Sequence, residues 1–86
     1  MGNEKTSLYD VKQIDKELTK KILDEVYEAL DDRGYNPTNQ IVGYLISGDP
    51  GYISSYKDAR KKIQTIDRTK IVEILLESFY NNKWNI

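Results

Sequence analysis

The side chains able to do chemistry in this sequence are hydroxyls, carboxylates and one basic run, because neither histidine nor cysteine is present. Without imidazole the usual general base near neutral pH is missing, together with the commonest transition-metal ligand. Without a thiol there is no thiolate nucleophile, no sulfur ligand and no disulfide. Carboxylates recur as Asp24 with Glu28 four residues on, and as the pair Asp31-Asp32, but this is the spacing of a solvated helix face. The residues therefore read as non-enzymatic, with no metal site and no cofactor expected. Gly48-Asp49-Pro50-Gly51 lacks the lysine and Ser/Thr of a phosphate-cradling loop and sets a carboxylate where an anion would sit, so it reads as a turn.

The basic run is Lys57, Arg60, Lys61, Lys62, Arg68 and Lys70, with Tyr52 and Tyr56 close by. Three uses fit it: a solvated helix face, a stacking and phosphate surface for nucleic acid, or a grip on a phosphate or an acidic partner. Asp58 and Asp67 dilute it, and a formal net charge of -1 gives the whole chain no field that favours nucleic acid. A small nucleic-acid-binding module over residues 57–70 stays as an alternative, as does a constitutive dimeric adaptor. Thr6 and Ser7 are hydroxyls in a polar N-terminal stretch and, on residue type alone, read as solvated tail positions.

The elements that would position these groups are helical. Residues 1–10 have little apolar periodicity and are expected to form a flexible arm, with the helical domain occupying 11–86. Ile14, Leu18, Ile22, Val26 and Leu30 step by four and predict one stripe along a first helix, capped near Asp10 to Asp15 and ended by Arg33-Gly34. Asn36-Pro37 is an N-cap followed by a proline at the first helical position, which predicts a second helix to about Ser47 with Gly48 closing it. Gly43 lies inside that helix, where glycine is costly unless another backbone approaches closely. Asp49-Pro50-Gly51 predicts a tight turn, and Ser54 or Ser55 with Asp58 predicts the cap of a third helix through about Ile66. Asp67 is positioned to cap a fourth, whose Ile71, Val72, Ile74, Leu75, Leu76, Phe79 and Tyr80 form an apolar face too wide for one narrow contact.

The expected fold is thus all-α, a compact bundle of about four helices. At 86 residues without a disulfide the core is small, and self-association is the available reinforcement, so an intertwined or closely packed homodimer is expected. No apolar run approaches the length of a membrane span and the N-terminus lacks a signal-like apolar region, which places the protein in the cytoplasm as an expectation. Trp84 and Ile86 follow a polar tail and are expected to clip onto the core or to meet a partner. The seven tyrosines suit core rims and interfaces alike.

The run GYNPTNQIVGYLISGDPGYI, residues 34–53, closely resembles the signature GYNPxNQIVGYLxSGDPxYI of the IreB family, called ReoM in some bacteria. The resemblance extends from Tyr27 to Tyr80 through Lys57-Asp58-Ala59-Arg60. Its defining turn and cap residues are Gly34, Asn36, Pro37, Gly43, Gly48, Asp49 and Pro50. Gly51 replaces a usual alanine, Thr38 a usual aliphatic residue, and Ser54-Ser55-Tyr56 a typical Pro-Arg-His, so the basic surface is thinner than in relatives.

The resemblance implies a helical homodimer that is the substrate of a membrane Ser/Thr kinase with PASTA domains and of its partner phosphatase. It implies an output in peptidoglycan synthesis, through the stability of the UDP-N-acetylglucosamine enolpyruvyl transferase and a Clp protease. It places the phosphoacceptor at Thr6, with Ser7 adjacent. A phosphate there adds about -1.5 to -2 charges, and Lys57, Arg60 and Lys61 are the expected contacts for that phosphate, in the same subunit or the other, or for the partner.

Overall fold

The computed structural model describes residues 11–84, with side chains from 13 to 83. Thr6, Ser7, the remainder of the expected arm, the side chain of Trp84 and all of Ile86 lie outside the described residues. Four α-helices follow one another: α1 (Val11–Asp32), α2 (Pro37–Ser47), α3 (Ala59–Ile63) and α4 (Arg68–Trp84). Two 3₁₀ turns, Pro50–Tyr52 and Tyr56–Asp58, link α2 to α3. There is no strand among the described residues, and no helix is long and apolar enough to cross a membrane.

The boundaries have local causes. The α1 terminus closes through Gly34 at φ +87°, with Gly34 N–H donating to Asp31 O at 3.0 Å and Tyr35 N–H to Leu30 O at 3.0 Å. This paired arrangement satisfies the last carbonyls of a helix and requires a left-handed residue, which glycine supplies without a Cβ clash. Asn36 caps α2 by accepting from Asn39 N–H at 3.1 Å, and Pro37 fills the first position, where no N–H is needed. Gly48, at φ +76°, donates to Tyr44 O at 2.7 Å and ends it. Asp49 accepts from Gly51 N–H at 2.8 Å and starts the first 3₁₀ turn. Asp67 accepts from Thr69 N–H at 2.7 Å at the head of α4.

Helix α3 departs from expectation. It spans five residues rather than running from Ser54 or Ser55 to Ile66. Ser54 Oγ accepts from Tyr56 N–H in a local turn, Ser55 makes no side-chain cap, and Lys57 and Asp58 adopt left-handed dihedrals with φ of 50° and 61°. Two consecutive left-handed residues interrupt a right-handed helix, so the chain turns through 3₁₀ geometry before α3 begins.

Val26, Leu30, Ile53, Ala59, Ile63 and Ile71 are fully buried, joined by Ala29, Ile41 and Tyr44. The core therefore lies between the C-terminal half of α1, α2, the 53–63 segment and the start of α4. The first-helix stripe is inside only at its C-terminal end: Ile14 and Leu18 are 53% and 52% exposed, and Thr19 occupies the inward position instead. Thr19 tolerates that burial because its hydroxyl donates to Asp15 O at 2.8 Å. Of the apolar side chains described on α4, Ile71 and Ile74 turn inward, while Val72, Leu75, Leu76, Phe79 and Tyr80 remain 42–59% exposed. Those five fall on one side of the helix by its 3.6-residue period, an apolar side wider than the contact α4 makes with the rest of the core.

Candidate functional site

The structure takes the basic run apart. Lys70 pairs with Asp15 at 2.9 Å and Lys62 with Glu25 at 3.5 Å, both on α1. Arg68 turns toward the end of α2, where Nη1 donates to Leu45 O at 3.1 Å and the guanidinium fills the space in which a Cβ on Gly48 would stand. A cation on the last carbonyls of a helix meets the negative end of its dipole. The continuous cationic face needed for tracking a nucleic-acid backbone is thus absent among the described residues.

What remains is a compact cationic loop at residues 53–61. Lys57 Nζ reaches Asp32 Oδ2 at 3.1 Å, and the Tyr56 hydroxyl donates to the same oxygen at 3.2 Å. The Tyr56 ring also has the Lys57 ammonium 5.5 Å and the Arg33 guanidinium 5.8 Å from its centre, both within cation–π range. Lys57, and to a lesser extent the Tyr56 hydroxyl, hold the Asp32 carboxyl below the usual carboxylate range, while Asp32 raises Lys57 above the usual lysine value. These groups are solvent-exposed, so the pairing orients the loop more than it stabilises the fold. The backbone at Lys57 and Asp58 beneath it is left-handed, with φ of 50° and 61°.

Arg60 is fixed from its other end. Its Nε donates to Ile53 O at 2.7 Å and its backbone N–H to Ser54 O at 3.1 Å, and its two Nη groups have no partner among the described residues. A guanidinium tethered through Nε presents its remaining fork in a set direction, suited to a carboxylate or phosphate. Lys61, on the next position, is exposed and also without a partner among the described residues. Of the three expected contacts, the structure brings Lys57, Arg60 and Lys61 onto one short segment, with Lys57 already neutralised by Asp32.

The signature residues build the support for this loop. Gly43 is occupied from outside by the Tyr52 ring: a Cβ there would lie 3.0 Å from Cε1 and Cγ and nearer still to Cδ1. The close neighbour expected for Gly43 is therefore an aromatic side chain and not a backbone. Gln40 Oε1 accepts from Ser54 N–H at 2.9 Å, so α2 holds both the turn and the start of the loop. The model of the family described as IreB regulatory phosphoprotein matches residues 4–81. The chain belongs to the IreB family. Its role is accordingly that of a regulatory phosphoprotein, and the IreB signature of residues 34–53 acts in this fold as the scaffold that caps α2 and seats the cationic loop.

Asp32 and Arg33 were not singled out from the sequence as members of this site, and Tyr56 was noted only as a neighbour of the basic run. Tyr56 stands 24 residues from Asp32 along the chain, and only the packing of the loop on the end of α1 joins them. The N-terminal half of α1 carries a second polar region that sequence reasoning also missed. There Lys16 Nζ meets Glu77 of α4 at 2.7 Å, which raises Lys16 and lowers Glu77 from their ordinary values.

Proposed function

We propose that this IreB-family chain is a non-enzymatic cytoplasmic regulator that a PASTA-type Ser/Thr kinase phosphorylates on Thr6 and its cognate phosphatase reverses. Its output is control of peptidoglycan synthesis through protein contacts that alter the stability of the UDP-N-acetylglucosamine enolpyruvyl transferase, by way of a Clp protease. The observation that carries this reading is the family match over residues 4–81, which includes Thr6 and describes a regulatory phosphoprotein.

Two features of the fold support it. The Arg60 fork, oriented through Nε, and the exposed Lys61 are cations available to an acidic partner, whereas the other members of the basic run are paired within the chain. The exposed side of α4 suits a second copy of this chain, giving a homodimer that buries Val72, Leu75, Leu76, Phe79 and Tyr80.

The test is incubation of the purified protein with the kinase domain and ATP, followed by intact mass and peptide mapping, with Thr6→Ala as control. One phosphate per chain on Thr6, lost in the variant, is the expected result. Modification of Ser7 alone would move the switch by one residue. No phosphate within residues 1–10 would leave a constitutive adaptor.

A further inference from the structure

Between α1 and the C-terminal half of α4 runs a groove lined by Lys16, Lys20, Glu77, Ser78, Asn81 and Asn82 over Ile74. Its charged lining is two ammonium groups against one carboxylate. Lys20 is held only loosely, 3.8 Å from Glu17 on its own helix. The hydroxyl of Ser78 and the carboxamides of Asn81 and Asn82 have no partner among the described residues. Two cations beside three neutral donors make a lining suited to a tetrahedral oxyanion.

Chain geometry says which anion can reach it. Thr6 is five residues before Val11, the first residue of α1, so its Cα lies at most ~18 Å from that of Val11. Lys16 and Lys20 follow Val11 by five and nine positions, about 8 to 14 Å along the helix axis. The Arg60 loop lies at the other end. Lys57 contacts Asp32 and Lys62 contacts Glu25, so the segment between them borders a part of α1 that starts roughly 21 Å from Val11. Arg60 is tied through Nε to Ile53 O, which keeps its fork at that end.

We propose that the α1–α4 groove is a phosphate subsite for the N-terminal arm of the same chain, with Lys16 and Lys20 as the cations that receive phosphorylated Thr6. This rests on the reading of Thr6 as the phosphoacceptor. A dianionic phosphate competes with Glu77 for Lys16, so docking loosens one of the ion pairs between α1 and α4 while leaving the Arg60 fork available to the partner. The switch then acts on how α4 is held.

The experiment uses full-length protein carrying phosphothreonine at position 6 by encoded incorporation, so that docking is read independently of any kinase. Phosphorus NMR follows the second ionisation of the phosphate against that of a phosphopeptide of residues 1–10. Docking lowers the midpoint by roughly half a unit, because nearby cations favour the dianion. Lys16→Gln with Lys20→Gln returns it to the peptide value, Glu77→Gln lowers it further by freeing Lys16, and Arg60→Gln leaves it unchanged. A midpoint equal to that of the peptide overturns the proposal. So does a midpoint that responds to Arg60→Gln and not to the lysine changes, which would place the phosphate on the loop of a second subunit. A Thr6 that the kinase fails to modify contradicts the functional reading alone.

Discussion

Replacing Gly43 by alanine tests the link between α2 and the cationic loop. Alanine is the better helix former by about 1 kcal/mol, so in isolation the substitution stabilises α2. In the folded protein the new methyl lands 3.0 Å from two carbons of the Tyr52 ring and closer to a third. The contacted atoms include Cγ, next to the backbone, so rotating the far end of the ring does not clear the clash. Tyr52 closes the 3₁₀ turn Pro50–Tyr52, and the segment must move with it. Overpacking of this kind costs about 1–3 kcal/mol, which less the helical gain leaves a net loss of up to about 2 kcal/mol. At roughly 4–8 °C per kcal/mol for a domain of this size, the thermal midpoint falls by up to roughly 16 °C. Circular dichroism melts of Gly43→Ala, Tyr52→Ala and the double variant decide the matter. With the ring removed, Gly43→Ala raises the midpoint relative to Tyr52→Ala alone. If Gly43→Ala raises it with Tyr52 in place, the ring is not a fixed neighbour and the account of Gly43 given above is wrong.

The exposed side of α4 gives a second test: light scattering on a sizing column should show a mass of about twice 10.0 kDa for the unmodified chain and the single-chain mass for Leu76→Glu with Phe79→Glu. A dimer that survives both changes places the interface elsewhere. Arg60→Ala should weaken capture of the acidic partner at least tenfold in a pull-down or calorimetric titration while the circular dichroism spectrum stays helical, the lost Nε bond to Ile53 O costing about 1 kcal/mol of stability; undiminished capture removes Arg60 from the partner surface. The pH response should be flat near neutrality. Asp32 and Glu77 are depressed by Lys57 and Lys16, so their contribution is present above the ordinary carboxylate range and is lost as pH falls through the lower folded values. Lys16, Lys57 and Lys70 are raised by Glu77, Asp32 and Asp15, so theirs is present below the ordinary lysine value and is lost as pH rises through the higher folded values. With no histidine, melts between pH 6 and 8 should agree within about 3 °C; a larger drift would show that a group outside these pairs is titrating.

Much of the fold was legible because its punctuation is local. Gly34, Asn36-Pro37, Gly48, Asp49 and Asp67 each act on backbone groups within a few residues, and each does in the structure what its type and position require. Helix α3 escaped because Lys57 and Asp58 take left-handed dihedrals that interrupt the helix just before Ala59, and the helical spacing of the apolar residues does not announce that break. The inner end of the α1 stripe was readable from period, but periodicity alone does not say that Ile14 and Leu18 stay outside this chain's core. The cationic site was legible as composition and not as arrangement: Lys57, Arg60 and Lys61 share one segment as expected, while Arg68 and Lys70 are drawn off to α2 and α1 by contacts 23 and 55 residues away in sequence.

The way α4 is attached has a consequence for motion. Two buried isoleucines, the Arg68 bond to Leu45 O and solvent-exposed ion pairs tie a helix of 17 residues to the rest of the chain. In a single copy its amides should therefore exchange with solvent through a local opening well below the free energy of global unfolding, beginning at Lys83 and progressing toward Ile71. Whatever covers the outer side of that helix then sets the lifetime of its hydrogen bonds, and the last helix becomes a reporter of occupancy while the 26–63 core reports only on folding.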